Sequence, residues 1–364
     1  MSSSSQPVPS SKTKLDQKLK SYNSLQPTDK TKEFLRDFFK VLSPDGKNNL
    51  AEDVSECADD ETMRQLVQSI RTGLLIPIKA RGGKTPTEIT PSPRPGVDDS
   101  IENLKSLNIE PINRSPQSKL RDHCLERDGN KCVATGHYNY NSQHPRNALT
   151  THLEAAHIIP FALGSFEATS GEAVDRHAKI WVNLTRYFPI LRRMSFTSEN
   201  LNQERNVMMM DPQLHTEFGQ LRVVFEATRL PHQYRIKTFA DTATVAIRDL
   251  PRNRLVRFKV HMGRWELPDP RLLEIHACIG NFLHMSGQAE IIDKVLKKFE
   301  DCGGLAPSGS TNVADLLAAS SLSLLPSNFN ETSDSQKSTE KHRPLEKQEP
   351  LQTRPTGTEN RPWE

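Results

Sequence analysis

The stretch Leu153-Glu154-Ala155-Ala156-His157-Ile158-Ile159-Pro160-Phe161, answered by Asn206-Val207-Met208-Met209-Met210-Asp211-Pro212-Gln213-Leu214-His215-Thr216-Glu217-Phe218-Gly219, decides the fold. Small and β-branched residues across 151–159 suit a strand, which Pro160 stops because proline cannot donate to a ladder. His157 then lies at the strand end, where the backbone opens to solvent. In the second piece, four apolar residues make a strand-length run. Asp211-Pro212 reads as an N-cap followed by proline at the first helical position, which puts His215 on the first turn of a helix that can face the preceding strand.

Working outward, Arg127-Asp128 leads through a turn at Asp128-Gly129-Asn130 to Cys132 and Thr135-Gly136, a helix stop followed by a short strand ending on glycine. The helix before it is expected to begin at Ser115-Pro116, with Leu120 and Cys124 one turn apart. Cys132 reads as core packing, since no second cysteine stands at ligand spacing. Between the two halves lies an insertion with a helix that turns Val174, Ala178, Trp181, Leu184 and Phe188 inward. Residues 220–259 read as four strands, 222–227, 234–239, 242–247 and 254–260. In the last, Val256, Phe258, Val260 and Met262 alternate with Arg257, Lys259 and His261, giving one apolar and one basic face. Arg257 and Lys259, with Arg252 and Arg254 beside them, are the candidate phosphate contacts. Helices starting at Asp269-Pro270 and after Ser286-Gly287 are expected to close the sheet. His152, His177 and His261 read as surface residues.

Arg-Asp-x3-Cys-x2-Thr-Gly, Ala-Ala-His-Ile-Ile-Pro-Phe and Asn-x8-His, in this order within one segment, resemble the HNH nuclease family, and within it the second HNH family with its fungal and bacterial members. The resemblance spans residues 115–290. It implies an α+β fold with a ββα-metal (His-Me finger) core, flanking helices and extra strands. It also implies a metal-dependent endonuclease hydrolysing phosphodiester bonds, with DNA as partner and a divalent ion (Mg, Mn, Ni or Zn) as cofactor. Such hydrolysis needs a base for the attacking water and a cation for the phosphate charge. By resemblance His157 is the general base, Asn206 positions the loop that carries it, and His215 is a metal ligand.

Two positions depart from the family pattern. Ala156 stands where many members carry an Asp or His ligand, and Gly219 where another His or Asp often stands. Glu154, two residues before Ala156 and so expected on its side of the strand, Asp211 and Glu217 are the candidate substitute ligands, and Ala156→Asp is expected to strengthen a weakened site. The alternative reading is a catalytically weakened HNH fold that binds nucleic acid or a protein partner.

The rest of the chain frames this segment. Its 364 residues include 25 prolines and are 35% hydrophobic, enough for one medium core with unfolded ends. A net charge of +3 and a pI of about 8.5 are too mild to demand a nucleic-acid partner. Five scattered cysteines, with no C-x-x-C pair, indicate neither a zinc ribbon nor a disulfide framework and suit a reducing, intracellular setting, nuclear or cytoplasmic. No run approaches the ~18 apolar residues of a membrane span. The expected organisation is disorder over 1–28, a helical appendage over 29–83, a Pro-rich linker over 84–112, the nuclease-like domain over 113–302 and a disordered tail over 303–364. In the appendage Phe34, Leu35, Phe38, Phe39 and Leu42 recur at helical spacing up to a stop at Ser43-Pro44-Asp45-Gly46. A second helix runs from about Glu61 to a stop at Pro77. The pair either packs on the nuclease-like part or forms a hairpin for a protein partner.

Overall fold

A computed structural model describes residues 10–80, 88–107, 110–112 and 117–301. The expected tail over 303–364 and the Ser115-Pro116 helix start lie outside the described residues.

The chain begins with helices α1 (Ser11–Ser21), α2 (Thr31–Val41), α3 (Pro44–Glu56) and α4 (Asp60–Ile70). Disorder was expected across α1. Its few apolar residues suffice because Leu15 and Leu19, one turn apart, are both buried where α1 packs on α3, and Ser10 caps Thr13 N at 3.2 Å. The expected stop at Ser43-Pro44-Asp45-Gly46 is also a start: Ser43 accepts from Gly46 N, Pro44 opens the first turn of α3, and Asp45 adds negative charge there. Nor does Pro77 end the next helix. After α4, capped by a reciprocal Asp59–Thr62 box, the backbone widens into a π-helical turn (Arg71–Leu75) and continues as α5 (Ile76–Lys79), with Pro77 at its start, where a missing N–H costs little.

Helix α6 (Val97–Ser106) is followed by α7 (Gln117–Arg127), then β1 (Tyr138–Asn139), β2 (Thr150–Thr151) and β3 (Glu154–His157). The insertion supplies α8 (Gly171–Tyr187) and α9 (Ile190–Arg193). Next come β4 (Val207–Met210) and α10 (Pro212–Gly219), then β5 (Val223–Ala227), β6 (Gln233–Thr238), α11 (Thr244–Ile247) and β7 (Leu255–Arg257). Helices α12 (Pro270–Met285) and α13 (Gln288–Asp301) follow. The fold is α+β, with two small two-stranded sheets and a three-stranded antiparallel sheet β5-β6-β7 among the described residues. Residues 242–247, expected as a strand, are instead a turn running into the helix α11, begun where Thr242 accepts Phe239 N and donates to Arg222 O. Strand β7 is shorter than its alternation promised: Val256 and Phe258 are buried, while Val260 and Met262 are exposed.

Among the described residues the main hydrophobic core runs from Leu15 to Val295, and a second small cluster of Val97, Ile101, Ala178 and Val182 joins α6 to α8. The helical N-terminal part joins it through Phe34 and Phe38, each 5.0 Å from the Phe282 ring of α12 in edge-on contact, and through Phe38 against Tyr187 of α8 at 5.4 Å. The apolar face of α2 is thus used within the chain.

A buried ion pair fixes the sheet that carries the motif. The Arg127 side chain, fully enclosed, donates to both oxygens of Asp128 at 2.7 and 2.8 Å and to the carbonyls of Glu204, Val207 and Glu266 at 2.7, 2.8 and 3.0 Å. Asp128 in turn accepts from Met209 N at 3.0 Å, and Val133 N donates to Met209 O at 3.0 Å. Strand β4 is therefore held on one side by β3 and on the other by the turn that follows α7. The Arg-Asp pair, read in sequence as a helix stop, is the peg on which β4 hangs.

Candidate active site

Strands β3 and β4 pair antiparallel, with Glu154 opposite Met210 and His157 opposite Val207, and α10 packs against β3. Asp211 is the N-cap of α10 through its backbone, His215 N donating to Asp211 O at 2.8 Å, so His215 stands on the first turn as expected. His157, His215 and Glu154 all line one open cleft of about 510 Å³, together with Ala155, Phe161, Gly219 and, from the N-terminal helices, Ile78 and Ala80.

Asn206 lies behind this cleft, fully buried. Its side-chain oxygen accepts from Ile159 N at 2.9 Å, and its amide donates to Ile159 O at 3.0 Å and Leu201 O at 2.9 Å. Its backbone oxygen accepts from Ile158 N at 2.8 Å. This clasp fixes the two residues after His157, and with them the exit angle of the strand end.

His157 has a partner that the sequence did not single out. Its Nε2 lies 3.0 Å from Asn202 Oδ1. An amide oxygen only accepts, so Nε2 carries the proton and Nδ1 keeps a lone pair. Burial pushes the imidazole's pKa below its ordinary value; the Asn202 bond acts the other way, and nearby His215 adds to the lowering. The ring is thus held neutral in one tautomer. Asn202 belongs to a 3-10 turn (Ser198–Asn202) whose side-chain directions no periodicity announces.

His215 Nδ1 lies 2.7 Å from Glu154 Oε2, a pair partly open to solvent. With the proton on Nδ1, His215 Nε2 and the second Glu154 oxygen remain as donors toward the cleft. Among the described residues no three His, Cys, Asp or Glu side chains converge as a metal site. One carboxylate and one imidazole suit a divalent ion only if water and substrate oxygens complete its shell, a coordination habit of magnesium.

Residues 132–226 match the family model described as HNH endonuclease. This segment belongs to the HNH endonuclease family. No curated protein and no solved structure matches the chain. The HNH membership points to a function on nucleic acid, and the family typically uses divalent metal ions.

Several expected site residues lie elsewhere in the HNH segment or beside it. Asp211, a candidate ligand, is buried and turned away from the cleft, bonded to the Thr135 hydroxyl and lying 3.1 Å from His137 Nδ1. Glu217 is likewise buried and faces Ala243 N at 3.4 Å and Arg222. Ala156 is fully enclosed and does not line the cleft, whereas Glu154, the first residue of β3, lines it and reaches His215. Gly219 does line the cleft, and a Cβ added there would meet nothing within 4 Å. Arg252, Arg257 and Lys259 are exposed and Arg254 is half-buried in a left-handed turn; none of the four lines the cleft. Cys132 is core, its thiol pushed up to about 11 by burial. His177, expected at the surface, is buried, because its face of α8 stacks on Phe166 at 4.2 Å.

Proposed function

We propose that the chain is an endonuclease that hydrolyses phosphodiester bonds of DNA with a divalent ion, on a ββα core formed by β3, β4 and α10. The observation that carries the reading is the state of His157: a neutral ring whose Nε2 proton is committed to Asn202, leaving Nδ1 to take a proton from water beside a His–carboxylate pair. His157 is the general base, and Asn206 sets its position through Ile159. His215 and Glu154 are the residues that would hold the ion, which supplies charge stabilisation at the phosphate. Arg257, Lys259, Arg252 and Arg254 offer positive charge to DNA outside the cleft.

The test is plasmid nicking across Mg, Mn, Ni and Zn with a chelator control. Nicking is expected with at least one ion and none with chelator. His157→Ala should lower the rate by about 10²- to 10⁴-fold, the usual worth of a positioned base. His215→Ala should instead be partly rescued by more ion. The two-donor cleft favours a second reading, a weakened HNH fold that binds nucleic acid without cutting it; binding without nicking under every ion would select it.

A further inference from the structure

A smaller cavity of about 240 Å³ adjoins the cleft and shares Ala162 and Ser165 with it, residues at the 3-10 turn (Phe161–Gly164) that follows the His157 strand. Its other walls come mainly from α8, including Ala173, Arg176, His177 and Ile180, and from Phe166. Two buried polar atoms on these walls have no partner among the described residues: Arg176 Nε and His177 Nε2. His177 is 7% exposed; burial pushes its pKa down to about 4 against the opposing effect of a hydrogen bond to the Leu163 backbone, so at neutral pH the ring is uncharged and only packs the wall. Arg176 forms no ion pair with a described carboxylate; Glu172 acts on it only at longer range. Glu167, also on the wall, is engaged by the Thr169 hydroxyl at 3.2 Å.

A half-buried guanidinium without a counter-charge is costly unless a ligand supplies one. Its planar donors match phosphate oxygens. We propose that this cavity is a subsite for the phosphate next to the cleaved one on the same nucleic-acid strand, with Arg176 as its counter-charge. The assignment rests on the nuclease reading for the neighbouring cleft. It makes α8, an insertion within the motif, a part of the substrate path.

The test is fluorescence anisotropy of a short labelled single-stranded DNA with the full chain in chelator, so that cutting cannot interfere. Arg176→Gln is expected to weaken binding about tenfold, the scale of a hydrogen bond to a charged group. It should also reduce the slope of log affinity against log salt by about one phosphate contact. Arg176→Lys should keep the slope and recover part of the affinity. Should Arg176→Gln fail to melt cooperatively, Ala173→Phe, which fills the cavity from the helix wall, should give the same loss. Wild-type binding that neither Arg176→Gln nor Ala173→Phe weakens would overturn the subsite while leaving the nuclease reading intact. A wild type that binds no DNA would overturn both. Competition by inorganic phosphate as strong as that by unlabelled DNA would reassign the cavity to a free anion and overturn the strand assignment.

Discussion

At His157 a single amide decides which nitrogen is basic. Asn202 accepts from Nε2 and so leaves Nδ1 as the proton acceptor. Asn202→Asp replaces that acceptor by a carboxylate, which stabilises the imidazolium and raises the His157 pKa. A protonated base cannot act, so the acid limb of the pH–rate profile for nicking is predicted to move about one unit to higher pH. Asn202→Ala, with no acceptor, should lower the rate while leaving DNA affinity unchanged. An acid limb that stays in place in Asn202→Asp would remove Asn202 from the mechanism. The placement of His157 at a strand end and of His215 on the first turn of a helix was legible in the sequence because Pro160 and the Asp211-Pro212 cap act locally, whereas Asn206 was singled out by the family resemblance alone. Asn202 and the Glu154–His215 pair were not legible, because such contacts are made by tertiary approach over long sequence separations.

The strand and helix elements reverse one expectation about substitutions. Ala156 is enclosed on β3, opposite Met208, so Ala156→Asp buries a carboxylate without a partner rather than completing a metal site. The predicted result is a loss of about 1–3 kcal/mol or more in denaturant unfolding, with no gain in ion affinity. Gly219, one turn beyond His215 on α10 and facing open space in the cleft, is the position with room. Gly219→Asp is predicted to tighten divalent-ion binding in calorimetry by adding a second carboxylate to Glu154 and His215. Equal ion affinity in Gly219→Asp and wild type would mean that the donors do not converge. The Arg127 peg sets a further expectation. Arg127→Ala takes away the ion-pair partner of the buried Asp128 carboxylate, leaving it the Met209 N–H, and removes a donor from the carbonyls of Glu204, Val207 and Glu266; a loss of about 3–5 kcal/mol is predicted. Helix and strand positions around the motif were mostly legible from periodicity. The short α11 was not, because residues 242–247 carry β-forming side chains whose path is set by Thr242, which bonds Phe239 N within the turn and the carbonyl of distant Arg222.

For the molecule as a whole, two buried histidines contribute to the response to acid. Burial pushes His177 and His276 from the ordinary 6.5 down to about 4; His276 also stacks on Phe218 at 3.9 Å, with its Nε2 3.1 Å from Phe218 O. Above pH 6.5 both are neutral whether the chain is folded or not. As pH falls from 6.5 toward 4, the unfolded chain binds protons that the folded chain refuses, so stability drops, by about 3 kcal/mol for each histidine once pH is below both values. Melting temperature should therefore fall over that window, and His276→Gln should flatten the fall. A melting temperature that is level from pH 6.5 to 4 would contradict both assignments.

The N-terminal helices were legible as helices but not as part of the cleft, since nothing in their amphipathic pattern names the surface they meet. Ile78 and Ala80 form one wall of the cleft, and between them the enclosed Lys79 is held by Asp293 at 2.6 Å and by Ala289 O at 3.2 Å. Portability follows from this seam. A gene fragment cut at residues 132–226 would carry the motif into a new protein without Arg127, Asp128 or the Ile78–Ala80 wall, and so without the parts that hold β4 in place and wall the cleft that His157 lines. Recombination that moves a working copy must carry the flanks on both sides along with the motif.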